Sequence, residues 1–299
     1  MAEQFSDVGR GITLCYETFG EESDPPLLLV MGLGMQMLGW PDDFCRQLAA
    51  RGFYVIRYDN RDAGRSTHIK GRPPSPGQLL RRRISPVLYT LSDMAEDAHG
   101  LLRELGLEPA HVVGASMGGM IAQTLAAEHP ASVRSLVSIM SNTGSRLSGQ
   151  PSPAIYRYFL SAAPADREGY IDRTVKVFGA IGSRGLPQDT ARHRDIAGRS
   201  WDRGFDPAGS GRQLGAIIAS GNRTRQLRSI AAPTLVIHGS KDPMVSRSGG
   251  VATARAIPGA RMVTIQGMGH DLPEAAWPQL LHEISEHAHA ADREPVTTQ

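Results

Sequence analysis

The chain has 299 residues, of which 40% are hydrophobic and 21% charged, with a formal net charge of +2 at pH 7. That length buries a full core without staples and suits one large domain, alone or with an insertion. The small net charge argues against nucleic acid as a partner, and no apolar run approaches the roughly 20 residues of a membrane span, so no membrane association is expected.

In chain order, the first residues (Met1 to Asp7) hold no basic region and no apolar run. This predicts no signal peptide and a cytoplasmic protein. Residues 12–16 alternate apolar and polar and read as a strand that packs Cys15. Cys15 and Cys45 have neither redox nor metal-ligand spacing. Short apolar runs follow at 27–31, 54–58, 111–114, 135–140, 234–238 and 262–265. They read as strands buried on both faces, as in a parallel sheet. The basic run Arg81-Arg82-Arg83 reads as a solvated loop. The clearest helix spans 93–105, where Met94, Ala98, Leu101, Leu102 and Leu105 share a face. Ser92 or Asp93 can cap it and Gly106 ends it.

Strand and helix thus alternate, which predicts a doubly wound, mostly parallel α/β sheet. The alternation breaks between residues 142 and 230. That stretch holds short amphipathic pieces at 155–161 and 170–181, and its roughly ninety residues exceed an ordinary connection. It reads as a helical cap inserted after the sixth strand. The expected division is a core of 1–141 and 231–289, a cap of 142–230, and a disordered tail of 290–299.

The chemistry concentrates at Gly114-Ala115-Ser116-Met117-Gly118. This is Gly-x-Ser-x-Gly between an apolar run and a helical pattern at 119–128, the setting of a nucleophile elbow. A sharp strand-to-helix turn leaves no room for side chains two residues either side of the serine. A glycine-rich turn with an ordinary capping serine would share the pentapeptide. The remainder of the chain separates the two. A serine nucleophile needs a base and an acid to orient it. Asp242 follows the 234–238 run by four residues, and His270 follows the 262–265 run in a glycine-flanked loop. The order Ser, Asp, His after three strands matches an α/β-hydrolase arrangement. Asp242 can at the same time stabilise its own turn. Asp271 adjoins His270 and is badly placed to orient it. His238 reads as a packed strand-end residue, and His129 as packing at the end of the elbow helix.

These motifs resemble the α/β-hydrolase superfamily over nearly the whole chain. Asp62-Ala63-Gly64-Arg65-Ser66 is similar to the family's Asp-x-Gly-x-Ser loop after the fourth strand, and Met31-Gly32-Leu33-Gly34 stands where the family carries His-Gly-x-x. The resemblance implies an oxyanion hole formed by the backbone N–H groups of Leu33 and Met117. Met31 in place of histidine leaves open what supports that loop. Gly32 to Gln36, Gly39-Trp40-Pro41, Arg57 to Asp62 and Gly267 to His270 further resemble bacterial esterases related to aclacinomycin methylesterase.

The expected activity is hydrolysis of small to medium hydrophobic carboxylic esters by Ser116, Asp242 and His270, without metal or organic cofactor. The partner expected is the small-molecule ester, and a homo-oligomer stays open. A perhydrolase or haloperoxidase would use the same triad. Carbon–carbon bond hydrolases share Ser-Met-Gly-Gly but usually carry His-Gly-x-Gly-Pro-Gly, which this chain lacks. A ligand-binding member without catalysis is the alternative of another class. The cap is expected to select substrate and to contribute little to the chemical step. Tyr156, Tyr158, Phe159, Tyr170, Phe178 and Trp201 are its candidates for lining a pocket or for packing.

Overall fold

The computed structural model describes residues 2–155 and 164–293. Among the described residues eight strands form one sheet: β1 (Gln4–Asp7), β2 (Thr13–Phe19), β3 (Pro26–Val30), β4 (Tyr54–Tyr58), β5 (Ala110–Ala115), β6 (Val133–Ile139), β7 (Thr234–Gly239) and β8 (Arg261–Ile265). Their spatial order is β1-β2-β4-β3-β5-β6-β7-β8. The β1–β2 and β2–β4 pairs are antiparallel and the others parallel.

The two-residue period of β3 divides the core. Leu28 and Val30 face α3 (Leu91–Glu104), which follows the short α2 (Pro76–Arg81), and α4 (Met117–Glu128). Leu27 and Leu29 face the other side, against α1 (Asp42–Ala49) and a C-terminal helix at Trp277–Arg293. A strand packed by helices on both faces must be apolar throughout, which is why these runs do not alternate. The run at 262–265 departs from that expectation. It lies in β8 at the sheet edge, where Arg261 is exposed and only Ile265 is fully buried. The helix expected at 93–105 begins at Leu91, because buried Leu91 joins the core. Thr90 therefore caps it, and Asp93 is the reciprocal partner of a capping box rather than the cap.

Between β6 and β7 the described residues form helices and no strand: α5 (Arg167–Ile181), α6 (Thr190–Arg203), α7 (Pro207–Ser220) and the short α8 (Thr224–Leu227). Asp166, Asp189 and Asp206 cap the first three, each accepting a backbone N–H of the first turn. The piece expected at 170–181 belongs to α5. Of the piece at 155–161, Ile155 closes a 3-10 turn, and the rest lies outside the described residues, as do Tyr156, Tyr158 and Phe159. After β7 come α9 (Ser248–Ala256) and α10 (Trp277–Arg293). The tail expected from residue 290 does not begin there. Residues 290–293 continue α10, where Ala288 is buried and Asp292 pairs with Arg134 at 2.8 Å; residues 294–299 lie outside the described residues.

Cys15 and Cys45 are buried free thiols, both pushed up to about 12 chiefly by burial. Among the described residues no helix is long and apolar enough to cross a membrane.

Candidate active site

Ser116 stands between β5 and α4 with φ 56° and ψ −117°, a conformation that side-chain-bearing residues rarely adopt. The turn is built from close backbone approach. A Cβ on Gly114 would strike the Gly118 carbonyl, and one on Gly118 would strike the carbonyl of Val30. Ser116 N–H donates to the Ile139 carbonyl at 2.9 Å, so β6 fixes the turn from the side. The N-terminus of α4 begins at the next residue and favours negative charge there.

His270 joins the other two groups. Its Nδ1 lies 2.8 Å from Asp242 Oδ2 and its Nε2 lies 2.9 Å from Ser116 Oγ. The other Asp242 oxygen accepts the N–H groups of Met244 and Val245 at 2.9 and 2.8 Å. Asp242 thus fixes its own turn and faces the imidazole at once. Burial acts to raise the Asp242 carboxyl, but His270 and His238 beside it hold it well below the usual carboxylate range. The loops after β7 and β8 are stitched together. Lys241 N–H donates to Met268 O at 2.9 Å, and Gly267 N–H to Ser240 Oγ at 2.9 Å. These bonds tie the loop that carries Asp242 to the loop that carries His270.

The loop after β3 lies against the serine, with a Cβ on Gly32 falling 3.2 Å from Ser116 Cβ. Among the described residues the Leu33 and Met117 amides have no protein acceptor. The support that Met31 leaves open comes from elsewhere. Asn60 Nδ2 donates to Met31 O at 2.9 Å, Gly34 N–H to Gln213 Oε1 at 2.8 Å, and Met37 N–H to Asp59 Oδ1 at 2.7 Å. Asp59 is in turn paired with Arg203 at 2.7 Å, and Asp62 with Arg212 at 2.7 Å. The Asp-x-Gly-x-Ser loop thereby links the sheet to α6 and α7.

The remaining residues separate cleanly. Asp271 is buried and accepts from Ser183 Oγ at 2.6 Å, while both imidazole nitrogens of His270 face other residues. Ser183 also accepts from Gly269 N–H at 2.9 Å, and His270 N–H donates to Ile181 O at 2.8 Å. His129 stacks on His99 with ring centroids 4.1 Å apart. His238 is buried in β7, as expected, but it also approaches Asp242: its Nε2 is 2.8 Å from Val245 O and 3.4 Å from Asp242 Oδ2. Its place four residues before the acid was the available signal. Gln213 and Ser183 had none, since neither lies in a motif. Asp62, His68 and Asp206 are close enough to share a cation. Arg212 bonds both carboxylates, at 2.7 and 2.6 Å, and so already sets a positive charge between them.

A family model described as the alpha/beta hydrolase fold matches residues 25–274. The chain belongs to this family, and the expectation of a hydrolase with this fold is borne out. It is 32% identical to rhodomycin D methylesterase DauP of Streptomyces sp. (strain C5), over 94% of this chain and 96% of that protein. Rhodomycin D methylesterase DnrP of Streptomyces peucetius is 31% identical over the same shares. The expected likeness to bacterial methylesterases is thus found. A solved thermophilic esterase from Thermogutta terrifontis superposes with a TM-score of 0.70 at 22% identity, covering 97% of this chain and 99% of that one, a likeness of fold.

Proposed function

We propose that the protein is a cytoplasmic serine esterase that cleaves a methyl ester of a hydrophobic carboxylic acid through an acyl-enzyme on Ser116. The observation that carries this reading is His270 bridging Asp242 and Ser116 at 2.8 and 2.9 Å. Ser116 Oγ attacks the acyl carbon as Nε2 of His270 takes its proton. The developing oxyanion lies toward the amides of Leu33 and Met117, where one such donor is typically worth about 3 kcal/mol. Asp242 keeps Nε2 free to accept and stabilises the imidazolium. The tetrahedral intermediate collapses, His270 hands the proton to the departing methanol, and the acyl group stays on Ser116. Water then attacks the acyl carbon, its proton passing to His270 and on to Ser116 Oγ. No step calls for a cofactor.

Methyl as the leaving alcohol is favoured by the two rhodomycin D methylesterases, at 32% and 31% identity. We assign substrate choice to the 142–230 segment. Tyr170, Trp201 and Phe205 cluster there, with centroids 4.7 to 5.7 Å apart; Phe178 stacks instead on His193 at 4.5 Å. Methyl, ethyl and butyl esters of one aromatic acid, compared with the same esters of acetic acid, test both points. Methyl should give the highest kcat/KM, and Trp201→Ala or Tyr170→Ala should change the aromatic-to-acetic ratio several-fold. Preference for butyl would refute the methyl assignment. An unchanged ratio would move specificity to the loops at 31–40 and 69–89.

A further inference from the structure

We propose that Gln213, on α7, is a positioning residue for the oxyanion loop, so that the 142–230 segment acts on the chemical step and not only on substrate choice. This rests on the esterase reading above. Gln213 is fully buried. Its Oε1 accepts from Gly34 N–H and its Nε2 donates to the Arg61 carbonyl, both at 2.8 Å. One partner can only donate and the other can only accept, so the amide has a single satisfied orientation.

Gln213 completes a grip on both ends of a short stretch. At one end Asn60 Nδ2 holds the Met31 carbonyl at 2.9 Å. At the other end Gln213 holds the Gly34 amide and, through Arg61, the same loop that carries Asn60. Gly32 abuts Ser116, and Gly34 sits at φ +68° with Ser210 of α7 where its Cβ would be. Leu33 lies between these fixed points. A donor in an oxyanion hole must meet the developing charge at 2.7–3.1 Å without reorganising. A turn with glycine on both sides does not hold such a position by itself. Gln213 also occupies the Gly34 amide, which takes that amide out of the set of free donors in this turn. Gln213 touches no reacting atom; it acts through Gly34 and Arg61.

The test compares Gln213→Leu, Gln213→Glu and Ser220→Ala with wild type. Each is normalised to active sites titrated with a fluorophosphonate. Gln213→Leu keeps the bulk and loses both bonds. It should lower kcat about 10- to 100-fold with KM nearly unchanged, and weaken binding of a trifluoromethyl ketone by a similar factor while leaving a ground-state competitive inhibitor alone. Ser220→Ala, on the same helix, removes the acceptor for Leu91 N–H and should leave kcat per site within about 2-fold. If Gln213→Leu does not fold, Gln213→Glu decides. Its protonated form reproduces glutamine's donor and acceptor, whereas its ionised form faces the Arg61 carbonyl with an oxygen. Its kcat relative to wild type should therefore rise as pH falls. A kcat per titrated site within 2-fold of wild type in Gln213→Leu, or a pH-independent ratio in Gln213→Glu, overturns the proposal. Both results presuppose an active, phosphonate-labelled wild type; a wild type without esterase activity or Ser116 labelling would instead refute the esterase reading itself.

Discussion

Ser116 and the loop after β3 lie side by side but are held in opposite ways. Ser116 is held by the backbone packed around it: β5 delivers it, glycines at 114 and 118 allow close approach, the Ile139 carbonyl accepts its N–H, and α4 starts at the next residue. The loop at 31–37 is held by side chains from distant parts of the chain, Asn60, Asp59 and Gln213. A local, backbone-made geometry tolerates change elsewhere. A geometry pinned by remote side chains depends on every element that carries a pin.

The largest effect expected on the locally held side concerns the acid. Asp242→Asn should lower kcat by about 10³- to 10⁴-fold, because the amide no longer fixes the productive imidazole tautomer. Asp271→Asn should cost less than about 10-fold, since Asp271 bonds Ser183 and not the imidazole. Kinetics with one ester compare the two; a more sensitive Asp271 would mean that the wrong carboxylate has been assigned. On the remotely held side the expected loss at Gln213 is smaller. It reads out mainly in kcat, which a purely structural pin would not produce.

A smaller effect reaches β5 itself. His111 is buried in this strand beside Ser135 Oγ at 2.8 Å. Burial outweighs the attraction of Asp292 and lowers its pKa from 6.5 to about 4. The unfolded chain therefore binds a proton between pH 6.5 and 4 that the folded chain does not. The stability this contributes is complete above 6.5 and is lost as pH falls toward 4, by about 2 kcal/mol between pH 7 and pH 5. His111→Asn, which keeps a partner for Ser135, should flatten that fall in urea unfolding at the two pH values. An undiminished fall would place the acid sensitivity elsewhere.

The same contrast explains what was legible in the sequence. Buried strands announce themselves as short apolar runs because both faces are covered, and the elbow announces itself because only glycine permits its approach distances. β8 misled on burial because an edge strand can be nearly as apolar as a central one. The α3 cap shifted because Leu91 entered the core. Asp242 and His270 could be placed by chain order, since each follows a strand. The polar pins could not. Gln213 lies in an amphipathic helix whose partner loop is about 180 residues away in the chain, and no local pattern marks that pairing.

The proposed reaction requires Ser116 to be a nucleophile activated by His270. Incubation with a fluorophosphonate followed by peptide mass spectrometry addresses it directly. One covalent adduct is predicted, on Ser116, absent in Ser116→Ala and formed at least about 10³-fold more slowly in His270→Ala. An adduct on another residue, or undiminished labelling of Ser116 without His270, would contradict the account.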